Sequence, residues 1–372
     1  MIGLLTFHWA DDYGAMLQAY ALKHYLEKAS GEHVEIIPYA PVKLTGRYWL
    51  CPIVAKRVQG KIKYSFYTYT LKRNLSVARR FLIRKRNMRS FRRCYLTDQK
   101  IRKKAGNISL AKYSSVFVGS DQVWNPEITI GLDDAYMGNM KNGENCRLVS
   151  YGASFGGDRI PEEYQKKFAR YVGQNFEAVS LREQSAVPFV KNLIQRPVFD
   201  VLDPTLLLGR EEWELLGRRP QSQDYILFTF AEYNQQMIQF TQEISMSLHK
   251  KVIQTSLPWL GENAEWIDVQ MEGGPAEFIG YFQNAYCVIT NSFHGMVFSA
   301  LLEKQFLVFS HSNKNARIEN FLKKLGLESR LVDTETMEIK EDISEKIDWE
   351  NVKKLLYKER KFSEEFIRKN CL

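Results

Sequence analysis

Short apolar runs alternate along this chain with polar loops and with stretches of helical spacing. Residues 4–7 read as a first strand, followed by the polar loop His8-Trp9-Ala10-Asp11-Asp12-Tyr13-Gly14. Leu17, Ala21, Leu22, Tyr25 and Leu26 then recur at the spacing of one helix face, and residues 33–38 return to strand alternation. Residues 71–91 predict one or two amphipathic helices with basic outer faces. Residues 115–118 form a short buried strand running into Gly119-Ser120-Asp121. Strands over 148–150, 176–180 and 198–202 follow, with helices over 161–172 and after Ser180.

Asp203-Pro204-Thr205 and the polar stretch 209–223 interrupt this rhythm, which then restarts. The second series predicts strands at 225–230, 252–255, 286–290 and 306–309. Its helices fall at 235–248, 277–282, 293–302 and 315–325. Two further helices, 349–360 and 363–370, form a tail expected to pack back on the first domain. Strands alternating with helices imply mostly parallel sheets covered on both faces. The expected fold is therefore α/β: two Rossmann-like domains facing a cleft, over residues 1–205 and 206–340, with a tail over 341–372.

Charge changes this picture in one place. The net charge of +9 conceals a segment, residues 43–112, with 21 Lys or Arg and a single acid, Asp98. The remaining chain carries a balance of −11. The body is acidic, with a cationic insert in the first domain that suits anionic surfaces. Five cysteines, scattered and without a CxxC pair, fit reduced thiols rather than a disulfide framework or zinc site. The opening residues lack a signal-peptide pattern, and no apolar run is long enough to span a bilayer. A cytoplasmic protein is expected. GxGxxG, Walker A, HExxH and GxSxG motifs are missing, which removes support for dinucleotide, P-loop, zinc-protease and serine-hydrolase chemistry.

Four polar clusters fall where strands are expected to run into helices, the ligand-binding edge of parallel sheets. In Ser180-Leu181-Arg182-Glu183, the Ser and Glu match a capping box. Arg182 fits either anion binding beside the helix-start N–H groups or a surface ion pair. In Thr290-Asn291-Ser292-Phe293-His294-Gly295, Asn291 or Ser292 is the expected N-cap. His294 then lies in the first turn, structural or catalytic, beside a Gly295 expected to leave room for a ligand. In Gly119-Ser120-Asp121-Gln122-Val123-Trp124-Asn125, hydrogen-bonding groups beside an aromatic suit sugar recognition, while Asp121 also suits a turn cap. The first loop brings Asp11, Asp12, Tyr13 and Gln18 into a helix start, where carboxylates complement the dipole.

In this order the motifs resemble the polysaccharide pyruvyl transferase family. The resemblance rests on Tyr13-Gly14-Ala15-Met16-Leu17-Gln18, Gly119 to Asn125, Ser150-Tyr151-Gly152-Ala153-Ser154, Ser180 to Glu183, Asp203-Pro204-Thr205 and Ser292 to Gly295. It spans roughly residues 1–325 and leaves the insert outside. It implies a GT-B-like fold, phosphoenolpyruvate as donor, a sugar acceptor often carried on a lipid pyrophosphate, and no metal or other cofactor. It further implies His294 as the catalytic acid and Arg182 as the donor-binding arginine, with Lys314 and Arg317 contributing to the same pocket. Asn291 and Ser292 join the donor side. Asp121 becomes a base or sugar ligand, and Asp12, Tyr13, Gln18, Gln122, Trp124 and Asn125 the acceptor side. On this reading His294 and Arg182 converge on one small anion. A helix N-terminus disfavours an imidazolium, an effect that the bound donor's negative charge opposes.

For the insert, a solvated basic face competes with attachment to anionic lipid through basic helices carrying Trp49, Phe66, Tyr67, Phe81 and Phe91. The rival functions are a GT-B glycosyltransferase using a nucleotide sugar and a nucleic-acid-binding protein using the insert. Nucleic acid is not the expected partner, because it leaves the four strand-end clusters unexplained.

Overall fold

The computed structural model describes residues 1–48, 53–58, 61–66, 75–100, 108–141, 145–255, 265–311, 315–340 and 342–371. In chain order the strands are β1 (Ile2–Leu5), β2 (Val34–Ile36), β3 (Ile53–Val58), β4 (Lys61–Phe66), β5 (Ser115–Asp121), β6 (Arg147–Ala153), β7 (Val179–Leu181) and β8 (Val198–Asp200). They continue with β9 (Tyr225–Thr229), β10 (Val252–Gln254), β11 (Ile267–Val269), β12 (Ala285–Thr290), β13 (Gln305–Phe309) and β14 (Leu331–Val332).

These strands build two six-stranded sheets, ordered β2-β1-β5-β6-β7-β8 and β11-β10-β9-β12-β13-β14, and one hairpin, β3-β4. Every pairing within the two large sheets is parallel. Central strands are apolar on both faces, as covered parallel sheets require: β9 is buried throughout and β5 except at its last residue. The second sheet has the strand order of a dinucleotide-binding fold, and the first has the other common doubly wound order, with β2 at one edge and one further strand, β8, at the other.

Two compact units result. One comprises Met1–Leu82, Arg89–Leu207 and Glu359–Leu372, the other Ile83–Met88 and Leu208–Lys358. In the first unit Trp124 is fully buried, edge-on to Phe168 at 5.0 Å and to Phe176 at 5.8 Å. In the second, fully buried Trp213 lies edge-on to Phe298 at 5.0 Å.

Local chemistry sets the helix ends. Asp12 caps the helix Tyr13–Ser30 by accepting from Ala15 N at 2.9 Å, and Gly31 closes it at φ 68°. Instead of two tail helices there is one, Trp349–Cys371; no residue in 361–362 breaks the helix, since Lys and Phe both tolerate it. Its last turns belong to the first unit. Leu202 N donates to Ser363 Oγ at 2.9 Å, Arg360 Nε donates to the Leu206 carbonyl at 2.7 Å, and Phe366 packs 5.4 Å from Phe199. The insert contains the helix Leu75–Phe91, a π-turn over Arg92–Leu96, and the unexpected β3-β4 hairpin. Among the described residues no helix is long and apolar enough to cross a membrane.

In the second unit the helix Pro275–Asn284 presses closely on the chain that follows the helix Arg210–Leu216. A Cβ on Gly280 would stand 1.8 Å from the Arg218 carbonyl oxygen, a backbone atom that cannot swing aside. Gly280→Ala is expected to cost roughly 1–3 kcal/mol through forced backbone shifts, although alanine is the better helix former. Urea denaturation checks this; unchanged or raised stability would contradict the close approach.

Candidate active site

In an open parallel sheet, the loops after the two strands flanking the reversal of strand order splay apart and leave a crevice at the carboxyl edge. The reversal lies between β1 and β5 in the first unit and between β9 and β12 in the second. At the ends of these four strands and in the turns leading to the following helices stand Asp11 and Asp12, Asp121 and Gln122, Glu232, and Asn291 to His294.

In the first unit the loops are locked from below by serines. Ser150 and Ser180 exchange side chain-to-backbone bonds: Ser180 N donates to Ser150 Oγ at 2.9 Å, and Ser180 Oγ donates to the Ser150 carbonyl at 2.7 Å. Ser180 therefore belongs to β7 and is not the cap of a capping box. Glu183 does not reach back to a helix start; its Oε1 accepts from Ser154 Oγ at 2.6 Å. Arg182 follows the strand directly rather than occupying a second helical position.

Arg182 is buried and forms an ion pair of a different kind from the surface bridge considered above. Its Nη1 donates to Asp203 Oδ2 at 2.6 Å, and its Nη2 lies 3.8 Å from Asp121 Oδ1. Burial opposes the charge, but the carboxylates of Asp203, Glu183 and Asp121 outweigh it and hold the guanidinium above its ordinary pKa. Asp203 is itself fixed, accepting from Thr205 N at 3.0 Å and Thr205 Oγ1 at 2.7 Å. Asp121 adopts φ 73°, a left-handed conformation uncommon outside glycine, and its Oδ1 accepts from Gln122 N at 2.8 Å. Gln122 Oε1 accepts from Asn125 Nδ2 at 2.6 Å, and Asn125 caps the turn Pro126–Thr129.

Several expected acceptor residues are placed otherwise. Trp124 presents no face to a ligand: its ring fills the core, and its Nε1 donates to the Tyr136 carbonyl at 2.8 Å. Gln18 is fully buried, with Nε2 donating to Thr6 Oγ1 and the Ala15 carbonyl, both at 2.8 Å. Both residues support the loops from beneath. Tyr13 is mostly buried, whereas Asp12 is exposed at its cap position. Arg92 holds the first loop from the insert, donating to the His8 and Trp9 carbonyls at 3.1 Å and to Asp11 Oδ1 at 2.9 Å.

In the second unit Asn291 is a brace. Its Oδ1 accepts from Ala231 N at 2.8 Å and its Nδ2 donates to the Glu232 carbonyl at 2.7 Å, joining the loops after β9 and β12. Ser292 is the N-cap of the helix Phe293–Leu301, accepting from Gly295 N at 3.3 Å. His294 occupies the second position of that helix and is half-buried. Gly295 does not leave room for a ligand: a Cβ there would meet Thr290 Oγ1 at 2.3 Å, so its small size lets the helix sit on β12. The Arg317 guanidinium stacks 5.2 Å above the Phe293 ring, which lies edge-on to His294 at 5.3 Å. Lys314 lies outside the described residues.

Two features escaped sequence reasoning. His311, just beyond β13, pairs through Nδ1 with Glu232 Oε2 at 2.8 Å. Asp203, quoted above only within a motif, is the partner that neutralises Arg182. Position after an apolar strand signals a residue at the edge in each case, but no sequence spacing reveals the pairings.

Two doubly wound parallel α/β sheets, each with a braced polar cluster where its strand order reverses, define the class of molecule. The sequence matches the polysaccharide pyruvyl transferase family over residues 12–313, and the chain belongs to that family of transferases. No curated protein matches the sequence. Among solved structures, the chain is similar to the UDP-GlcNAc 2-epimerase of Methanocaldococcus jannaschii (12% identity, 96% of this chain and 98% of that one, TM-score 0.45). It is also similar to the UDP-GlcNAc 2-epimerase of Neisseria meningitidis (10% identity, 98% and 93%, TM-score 0.46) and to spinosyn forosaminyltransferase (9% identity, 100% and 94%, TM-score 0.41). At these scores the likenesses add nothing to the family match.

Removing Asp203 strands a buried cation. Asp203→Ala is expected to lose about 3–5 kcal/mol of stability, read by denaturant unfolding; a loss below 1 kcal/mol would mean the pair is not closed off from water. A second expectation concerns His8. Burial, with a smaller contribution from Arg92, outweighs the bond to the Thr6 carbonyl and lowers its pKa to about 3. The unfolded chain then binds an extra proton between about 6.5 and 3, so His8 contributes stability that is complete above 6.5 and lost as pH falls through that window. In His8→Gln the acid limb of the stability curve should flatten there; an unchanged limb refutes it.

Proposed function

We propose that this chain transfers a pyruvyl group from phosphoenolpyruvate to two hydroxyls of a sugar, forming a cyclic ketal and releasing phosphate. The observation that carries this reading is the family match across residues 12–313, which includes both the Arg182 and the His294 clusters. The acceptor proposed is a sugar carried on a lipid pyrophosphate during polysaccharide synthesis, and the reaction needs no cofactor.

Phosphoenolpyruvate brings a carboxylate and a phosphate, so it requires cationic or N–H-rich subsites. Arg182 suits one through its N–H donors more than its net charge, because Asp203 presets its guanidinium plane and little orientation is left to fix on binding. The N-terminus of the helix Phe293–Leu301, whose dipole favours negative charge, suits an anion as well. In the reaction, His294 protonates the methylene carbon and leaves an oxocarbenium-like centre at C2. One sugar hydroxyl adds there, phosphate departs, and a second hydroxyl closes the ring. The two hydroxyl protons balance the one gained by the new methyl group and the one carried off by phosphate. Asp121, beside Arg182, serves as the base or as a sugar ligand.

General acid assistance is typically worth about 10²–10⁴-fold. His294→Asn is therefore expected to lower kcat by about that factor while phosphoenolpyruvate still binds, with phosphate release following turnover and calorimetry following binding. Failure of the unaltered chain to bind phosphoenolpyruvate, together with thermal stabilisation by a nucleotide sugar, would replace this reading with the glycosyltransferase one. An intact kcat in His294→Asn would remove the acid role alone.

A further inference from the structure

The helix Leu75–Phe91 contains no carboxylate, and neither does the segment from Val42 to Thr97. At about 100° per residue, Arg79, Leu82, Ile83, Arg86, Arg89 and Ser90 fall within an arc of about 120°. All six are exposed. The opposite side holds Arg84, Met88 and Phe91, each buried. Leu82 at 54% and Ile83 at 39% exposure are large aliphatic side chains left in water although the helix has a buried face that would take them. None of Arg79, Arg86 and Arg89 pairs with a carboxylate among the described residues. Of the aromatic residues expected to lie among headgroups, Phe91 is instead packed against Tyr95 at 4.8 Å, Phe81 is half-buried, and Trp49, Tyr67 and the Phe66 side chain lie outside the described residues.

We propose that this face, Leu82 and Ile83 ringed by Arg79, Arg86 and Arg89, docks on the surface of an anionic phospholipid bilayer. Charge selects the partner: three unneutralised guanidiniums stand on a segment of +20 in a chain whose remainder is −11, so the insert is attracted to anionic surface while the body is repelled. The apolar pair separates lipid from nucleic acid. A phosphodiester backbone gains nothing from two exposed aliphatic side chains, whereas the acyl boundary under a headgroup layer buries them. The hairpin β3-β4 repeats the chemistry, with exposed Ile62 and Tyr64 beside exposed Lys61 and Lys63. Docking places the chain where a lipid-carried substrate resides, but the surface stands on its own, whatever reaction the chain catalyses.

Flotation of the full chain with vesicles of phosphatidylcholine, with and without phosphatidylserine, tests this without any substrate. The chain is expected to float only with the anionic vesicles. The triple variant Arg79→Gln/Arg86→Gln/Arg89→Gln should bind about 10²-fold more weakly, the sum expected for three surface charges. Leu82→Ser/Ile83→Ser should also weaken binding, and its residual binding should become more salt-sensitive because only charge remains. All five side chains are exposed, so thermal unfolding should be unchanged and separates lost binding from lost fold. The proposal is overturned by equal flotation with neutral vesicles, by no flotation, by binding indifferent to both variants, or by single-stranded RNA that binds through the same arginines and strips the chain from vesicles.

Discussion

A guanidinium removed from water has to be neutralised, and the way Arg182 is neutralised organises the carboxyl edge of the first sheet. Asp203, arriving from beyond β8, supplies the hydrogen-bonded carboxylate, and Asp121, at the end of β5, supplies the second charge. Each carboxylate is fixed in turn, one by Thr205 and the other by its neighbour's N–H. The pairing therefore ties three strand ends to a single cation. Buried pairs of this sort are weak sources of stability but exacting about geometry, since a misplaced partner leaves an uncompensated charge. On the proposed function, that exactness suits a site that holds a small anion in one orientation. The same carboxylates that fix Arg182 also reduce its net attraction for an anion, which places the emphasis on orientation over charge.

The second unit solves a similar problem with neutral groups. Asn291 satisfies backbone donors and an acceptor of the loop after β9, so the two loops beside the strand-order reversal cannot move independently. Ser292 then starts the helix, and Gly295 allows that helix to settle on β12, fixing the height of His294 above the sheet edge. Local signals such as caps, glycines and strand ends here combine to aim one imidazole. The His311–Glu232 pair adds a further polar group at the same edge, joined to the Asn291 brace through the backbone of Glu232.

Much of this was legible in the chain because long-range order in parallel α/β folds is written locally. Apolar runs such as residues 225–229 and 285–290 have few conformational alternatives once helices flank them. The short edge strands β11 and β14, three and two residues long, leave no periodic trace, and the hairpin β3-β4 hid within a segment whose charge dominates its reading. At the site, the clusters were legible and the partners were not. Ser180 and Glu183 satisfy the spacing of a capping box, yet tertiary neighbours Ser150 and Ser154 claimed both side chains. Trp124 illustrates the same limit: an aromatic beside polar residues suits sugar stacking or a core equally, and only the rings of Phe168 and Phe176 decide between them.

The insert shows why composition and structure must be read together. Counting charges identifies an anionic partner but does not say where contact occurs, because a cationic segment of this length could present its charge in any direction. Folding resolves that ambiguity by burying one side of the helix Leu75–Phe91 and leaving Leu82 and Ile83 outside it. Exposed aliphatic residues carry a free-energy cost that a solvated ion-pair face does not, of about 25 cal/mol per Å² left in water. With no carboxylate paired to Arg79, Arg86 or Arg89 among the described residues, both the cost and the charge are relieved together by a partner that is apolar beneath and anionic above. A bilayer has that layered order as an intrinsic property, which is why the same face that would be a liability in solution becomes an address at a membrane.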